Sequence, residues 1–185
     1  MAQPLLAAQN PDGGWGFRPG TKSWTEPTAW ALLGLHGAKD GSIAVNQGIA
    51  WLLSAQSSTG SWHSAPGIDT PSWITALVCL LPPELIGQDA HRRGLAAIRG
   101  AAEKVPTWSD RLRNWMLGIK PSQEPMARGW AWVPGTAAWL VPTAISMMAL
   151  KKYGGGAEED KVLLQHAESY PVSYTHLTLP TNREV

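Results

Sequence analysis

The 185-residue chain is long enough for one compact core or for a piece of a larger one, and no apolar run approaches the roughly 20 residues that span a bilayer. A formal net charge of +1 gives no long-range electrostatic attraction to nucleic acid or acidic lipid, so no nucleic-acid partner is expected. The single cysteine, Cys79, excludes an internal disulfide framework and fits a reducing, cytoplasmic compartment, which leaves room for peripheral attachment to a membrane.

The elements follow in chain order. The opening MAQPLLAAQNPDGG lacks a basic start and a long apolar stretch, and does not read as a signal peptide. WTEPTAWALLGLHG runs from a Pro-bearing start through Ala and Leu to Gly37, which predicts a helix stopped at that glycine. Ser42 to Ala55 places Ile43, Ala50 and Trp51 at helical spacing. TPSWITALVCLL predicts a helix over 70–81 with Thr70 as N-cap and Pro71 next. Asp89 to Glu103 has Leu95, Ile98 and Ala102 on one face. VPTAISMMALKKYGGG ends with Lys151 and Lys152 at the carbonyl end of a helix, and AEEDKVLLQHAES begins with acids at the amino end of another. No segment sustains period-2 alternation. The sequence therefore predicts about six to eight helices joined by Gly/Pro/Trp loops, an all-α array of helix pairs.

Eleven Trp stand beside three Tyr and one Phe, so bulk alone is not what is selected; a large flat ring with one N–H donor is. The Trp residues fall in repeats. From Gly14 to Leu35, ten of twenty-two positions recur 115 residues later, among them Trp15/Trp130, Trp24/Trp139, Pro27/Pro142 and Thr28/Thr143. A second period links Gln9, Gly13 and Trp15 to Gln56, Gly60 and Trp62, both of the form Q-x3-G-x-W, 47 residues apart. The second copy is preceded by Gly48, Trp51 and Leu52.

At these residues the chain resembles the QW repeat of the squalene cyclase and protein prenyltransferase superfamily. In that repeat a basic residue and Gly or Ala lead to an aromatic, an aliphatic, Gln and Gly-x-Trp. Gly48 to Trp62 match each slot except the first, where Gln47 replaces the basic residue. Gln9 to Trp15 match the later half, and Gly129-Trp130-Ala131-Trp132 is a degenerate third copy. The resemblance covers most of residues 5–153 and implies a partial α/α toroid, two concentric helical layers around a cavity, with the remainder of the toroid missing. It also implies binding of, or action on, an isoprenoid or other hydrophobic small molecule. Most of the Trp residues are expected to be structural. Trp24, Trp30, Trp73 and Trp139, outside the Gly-x-Trp slot, are the candidates for a cavity lining that attracts a cationic intermediate.

The chemistry that the resemblance implies is thinner. The Asp-x-Asp-Asp acid of squalene–hopene cyclases has no counterpart; Asp69, before a helix, is the nearest carboxylate, and a turn role suits it better than proton donation. The Asp-x-Cys zinc motif of prenyltransferases fails because Leu77 precedes Cys79 at that spacing, which leaves Cys79 as a buried apolar residue. His36, His63, His91 and His166 show no metal-ligand spacing, and Glu158-Glu159-Asp160 reads as a helix start rather than a metal site. PDGGWG lacks the context of a phosphate loop, and no nucleophile motif is present, so neither metal nor cofactor is expected. A non-catalytic helical-repeat domain for binding or structure is the alternative; a carbohydrate-active toroid is disfavoured because no suitably spaced carboxylate pair occurs.

Residues 172–182, VSYTHLTLPTN, resemble the translated read-through of a transposon-end sequencing adapter. This predicts a repeat domain over 1–171 and a non-native tail over 172–185, with a genuine C-terminal strand as the other reading of the tail.

Overall fold

A computed structural model describes residues 2–37, 42–65, 67–68, 73–102, 108–118, 129–133, 136 and 138–178; for 42, 110, 111, 114 and 169–178 it describes the backbone alone. The chain forms two compact units, Met1–Ala101 and Ala102–Val185. Among the described residues the regular elements are helices, as the composition predicts, with two isolated antiparallel bridges, Gln56–Trp62 and Ala131–Ala138.

The first unit contains α1 (Gln3–Ala7), α2 (Thr25–Leu35), α3 (Ser42–Ser54), α4 (Ile74–Val78), α5 (Pro83–Ile86) and α6 (Gln88–Ala101). Helix α2 packs on α3 and α4, and α4 packs on α6. Leu32, Leu35, Leu52, Leu77, Val78, Leu81 and Ile86 form the core between them. Of the positions expected on one face, Leu95 and Ile98 are buried in α6, whereas Ala102 lies just beyond its end and is half-buried; Arg92 is exposed beside Asp89. Helix α2 stops at the expected place: Gly37, just beyond the C-cap His36, has φ +84°.

The second unit contains α7 (Trp108–Met116), α8 (Leu140–Tyr153) and α9 (Glu158–Thr178), with α8 packed on α9. Lys151 and Lys152 occupy the last turn of α8, and the three acids occupy the first turn of α9, as the macrodipole favours.

Several elements differ from expectation. The helix expected over 70–81 is a single short turn, α4, entered through Trp73; Thr70 and Pro71, its expected start, lie outside the described residues. Leu80 and Leu81 leave it in turn-type hydrogen bonds, and Pro82 starts α5 instead. Helices α1, α5 and α7 were not anticipated: α1 and α5 are too short to show a helical stripe, and that of α7 is confined to nine residues. Asp160, read as part of a helix start, lies in the first turn of α9 and is buried against Gly154 in the turn between α8 and α9. Helix α9 runs through 172–178, where a strand was the other reading of the tail.

Candidate functional site

The repeated Trp motifs fold into three corners with shared wiring. In the first, the indole of Trp15 is 3 % exposed and its Nε1–H donates to Leu5 O at 2.7 Å. In the second, the Trp62 indole is 0 % exposed and its Nε1–H donates to Leu52 O at 2.7 Å. Each ring thus adds a second hydrogen bond to a carbonyl in the last turn of the preceding helix, α1 or α3, beside the N–H of Ala8 or Ala55 that the same carbonyl accepts. Trp130, at the third corner, is 4 % exposed.

The backbone of each Trp is clamped by a threonine thirteen residues later. Trp15 N–H donates to Thr28 Oγ1, Trp62 N–H to Thr75 Oγ1 and Trp130 N–H to Thr143 Oγ1, each at 2.9 Å. The same hydroxyls return to the carbonyl of their own Trp at 3.4, 3.3 and 3.4 Å. These threonines sit on α2, α4 and α8 and are buried, so a polar side chain in each helix is consumed by the neighbouring corner. The expectation for 14–35 and 129–150 noted Thr28 and Thr143 only as identities. The signal that would have found the clamp is a Thr at Trp+13 in all three copies. Replacing Thr75 with Val keeps the shape and removes the hydroxyl. The expected loss is about 1–3 kcal/mol, because a buried N–H is left unpaired, whereas Thr59→Val on the exposed turn should change stability by less than about 0.5 kcal/mol; urea unfolding checks both.

The two glutamines close the first two corners. Gln9 Nε2 donates to Gly13 O and Ala44 O, both at 2.8 Å. Gln56 Nε2 donates to Gly60 O and Ala90 O, both at 2.9 Å, and Gln56 Oε1 accepts from Arg93 Nη2 at 2.6 Å. One amide therefore spans its own turn and the following helix, α3 or α6. In the third corner the slots matching Gln9 and Gly13 hold Glu124 and Arg128, outside the described residues. Gly129 is buried there and Trp139 N–H bonds Trp130 O at 3.0 Å, as Trp24 N–H bonds Trp15 O at 2.9 Å. Trp24 and Trp139 are N-cap residues in the same extended conformation.

Close approach explains the glycines. A Cβ at Gly48 would lie 2.7 Å from the Trp15 ring, and one at Gly94 would lie 2.8 Å from the Trp62 ring. Gly48 and Gly94 are 46 residues apart, as are Ala44 and Ala90. At the same spacing Ala102, Pro106 and Trp108 stand where Gln56, Gly60 and Trp62 stand, and Trp108 is exposed where Trp62 is buried.

The other candidates disperse. Asp69 lies outside the described residues. Trp24 is half-buried, its ring 5.7 Å from Phe17 and 4.6 Å from the Lys22 ammonium, so a cation of the chain already lies over it. Trp30 and Trp139 are about half exposed, and Trp73 is half-buried at the start of α4. His63 contributes its carbonyl, which accepts from Thr25 Oγ1 at 2.6 Å and helps seat the start of α2 on the second corner. Among the described residues no group of three or more His, Cys, Asp or Glu could hold a metal ion, and no helix is long and apolar enough to cross a membrane.

Three titratable groups are perturbed. Burial pushes the Cys79 thiol up to about 12, so it stays protonated and unreactive. Burial tends to raise the Asp12 carboxyl, but hydrogen bonds from Ser23, the Gly14 N–H and Trp51 Nε1 together hold it below its ordinary value. Burial lowers the His91 value, which the backbone of Cys79, the charge of Glu84 and the backbone of Leu81 only partly offset. His91 is buried, with Nε2 donating to Cys79 O at 3.0 Å. Its folded value lies below the ordinary 6.5, so the unfolded chain takes up the proton more readily. Stability is therefore full above that ordinary value and is lost as pH falls through it. Melting temperature should drop as pH falls below about 6.5, and His91→Gln should flatten that drop.

Compared with protein-family models and with curated protein sequences, the chain matches none.

Proposed function

We propose that the chain is a stretch of a QW-type α/α-toroid repeat, similar to those of squalene cyclases and protein prenyltransferases, that holds an isoprenoid or other elongated hydrophobic molecule against tryptophan faces. The observation that carries this reading is the recurrence of one hydrogen-bond scheme at Trp15, Trp62 and Trp130. Such repetition is the mark of an array in which every unit leans on the next. Ligand binding is supported by the aromatic faces of Trp30 and Trp139 that the corners leave half exposed. Titrating the full chain with farnesol while following tryptophan emission tests it. Saturable quenching is expected, with affinity about tenfold weaker in Trp30→Ala or Trp139→Ala. A linear, unsaturable response, or one unchanged in both variants, refutes ligand binding.

A second reading is a helical-repeat domain without chemistry. It is favoured by the corners themselves, whose Gln amide nitrogens and Thr hydroxyls are bound to backbone. Absence of farnesol binding alongside an intact cooperative melt would select it.

A further inference from the structure

Matched positions of the repeats are not covered alike. Ten, fourteen and seventeen residues after the corner Trp stand Thr25, Ala29 and Leu32 on α2, and Leu140, Ala144 and Met147 on α8. At about 100° per residue each trio falls within one arc of about 60°. On α2 all three residues are fully buried. Helix α2 packs on α4, and Thr25 donates its hydroxyl to His63 O and its N–H to Ser64 O, so this side of α2 faces the following corner. On α8 the same side is open: Leu140 is 36 % exposed, and Ala144 and Met147 are half-buried.

The opposite side of the helix shows the converse. Twelve and fifteen residues after the corner Trp stand Ile74 and Leu77 on α4, the helix with a repeat before it, and both are buried. Their mates on α2 are Pro27, half-buried, and Trp30, 49 % exposed. The chain therefore carries both halves of the contact that joins consecutive repeats, a following side open on α8 and a preceding side open on α2.

We propose that a second copy of the chain fills these sides, α2 of one copy docking on α8 of the next with Trp30 against Leu140, Ala144 and Met147. Continuity selects this occupant, since inside the first unit the same positions are already closed by a repeat of this chain. Ala144 between two long side chains leaves a notch for the indole, and a ring seated in a notch is the usual anchor of an interface. None of the five residues Pro27, Trp30, Leu140, Ala144 and Met147 is charged, so nothing on either side repels the other. The two sides differ, so the contact is head-to-tail and continues into a ring or a filament. It rests on the packing of the repeats and not on an isoprenoid ligand, so sedimentation without farnesol reads it separately from ligand binding.

Sedimentation velocity of the full chain up to about 300 µM tests this. The mass of the unaltered chain should rise above the monomer with concentration. Trp30→Glu and Leu140→Glu each block one side, at positions already in solvent, and each should weaken assembly at least about tenfold. Met147→Glu should act like Leu140→Glu. An equal mixture of Trp30→Glu and Leu140→Glu should form a dimer and stop there, because one open side survives on each chain. Val162→Glu on α9, exposed but outside both sides, should assemble like the unaltered chain. A monomer at every concentration overturns the proposal and leaves the open sides to a different protein. Assembly unchanged in either blocked variant, a mixture that stays monomeric, or loss of assembly in Val162→Glu overturns it as well.

Discussion

Replacing Trp62 with Ala is expected to cost the first unit about 3–5 kcal/mol, a large share of the roughly 5–15 kcal/mol that holds a typical domain folded. The side chain is fully buried, and its ring lies over Gly94, whose lack of a Cβ leaves no atoms that could relax into the void. Removal also takes away the indole N–H that reaches Leu52 O at 2.7 Å, leaving that carbonyl with the Ala55 N–H alone. Trp62→Phe separates the two effects. It keeps most of the apolar contact and loses the donor, so about 0.5–1.5 kcal/mol should go with the hydrogen bond alone. Trp115→Ala is the matched control: the ring is 77 % exposed, and stability should change by less than about 0.5 kcal/mol. Because the chain has two compact units, a single melting curve mixes them. Hydrogen exchange at the α3 amides reads the first unit alone; unchanged protection there in Trp62→Ala would show that the corner contributes nothing to its stability.

The second large effect is expected at Gly60, where two separate penalties meet. Its φ is +87°, and a Cβ would sit 2.7 Å from the Arg93 carbonyl oxygen and 2.9 Å from its carbon. The first penalty costs about 1–2 kcal/mol, and the second presses on backbone that cannot swing aside, so Gly60→Ala should lose about 3 kcal/mol in all. Gly37→Ala isolates the first penalty, since its φ is +84° with nothing within 4 Å, and should lose only about 1 kcal/mol. Equal losses at the two sites, measured by urea unfolding, would mean that the approach of α6 to the turn is looser than the distances indicate. Any shift of the turn also moves the Gly60 carbonyl that Gln56 holds jointly with Ala90 O, so the Gly60 variant should weaken protection in α6 as well.

The chain's own letters determined where the corners stand. Trp, Gly and Gln have narrow geometric uses, and their recurrence at intervals of 47 and 115 marks turn positions that no local propensity blurs. They also determined the helices with a long Ala/Leu-rich run, such as α2, α3 and α8, because propensity acts between near neighbours. What lay beyond them was every interaction whose partner is remote in sequence. Whether Gln56 would reach Ala90, whether Thr75 would clamp Trp62, and whether Arg93 would complete the amide depend on how α3, α4 and α6 dock. Asp160 shows the same limit in reverse: by local rules an acid in the first turn of a helix belongs in solvent, yet packing of α8 on α9 buries it beside Gly154. Exposure of Trp30, Trp139 and Trp115 is likewise a tertiary outcome, since a ring of the same identity is buried or left in solvent according to what docks on it. A side chain's identity sets which contacts it is able to make; only the docking of distant segments decides which of those contacts are made.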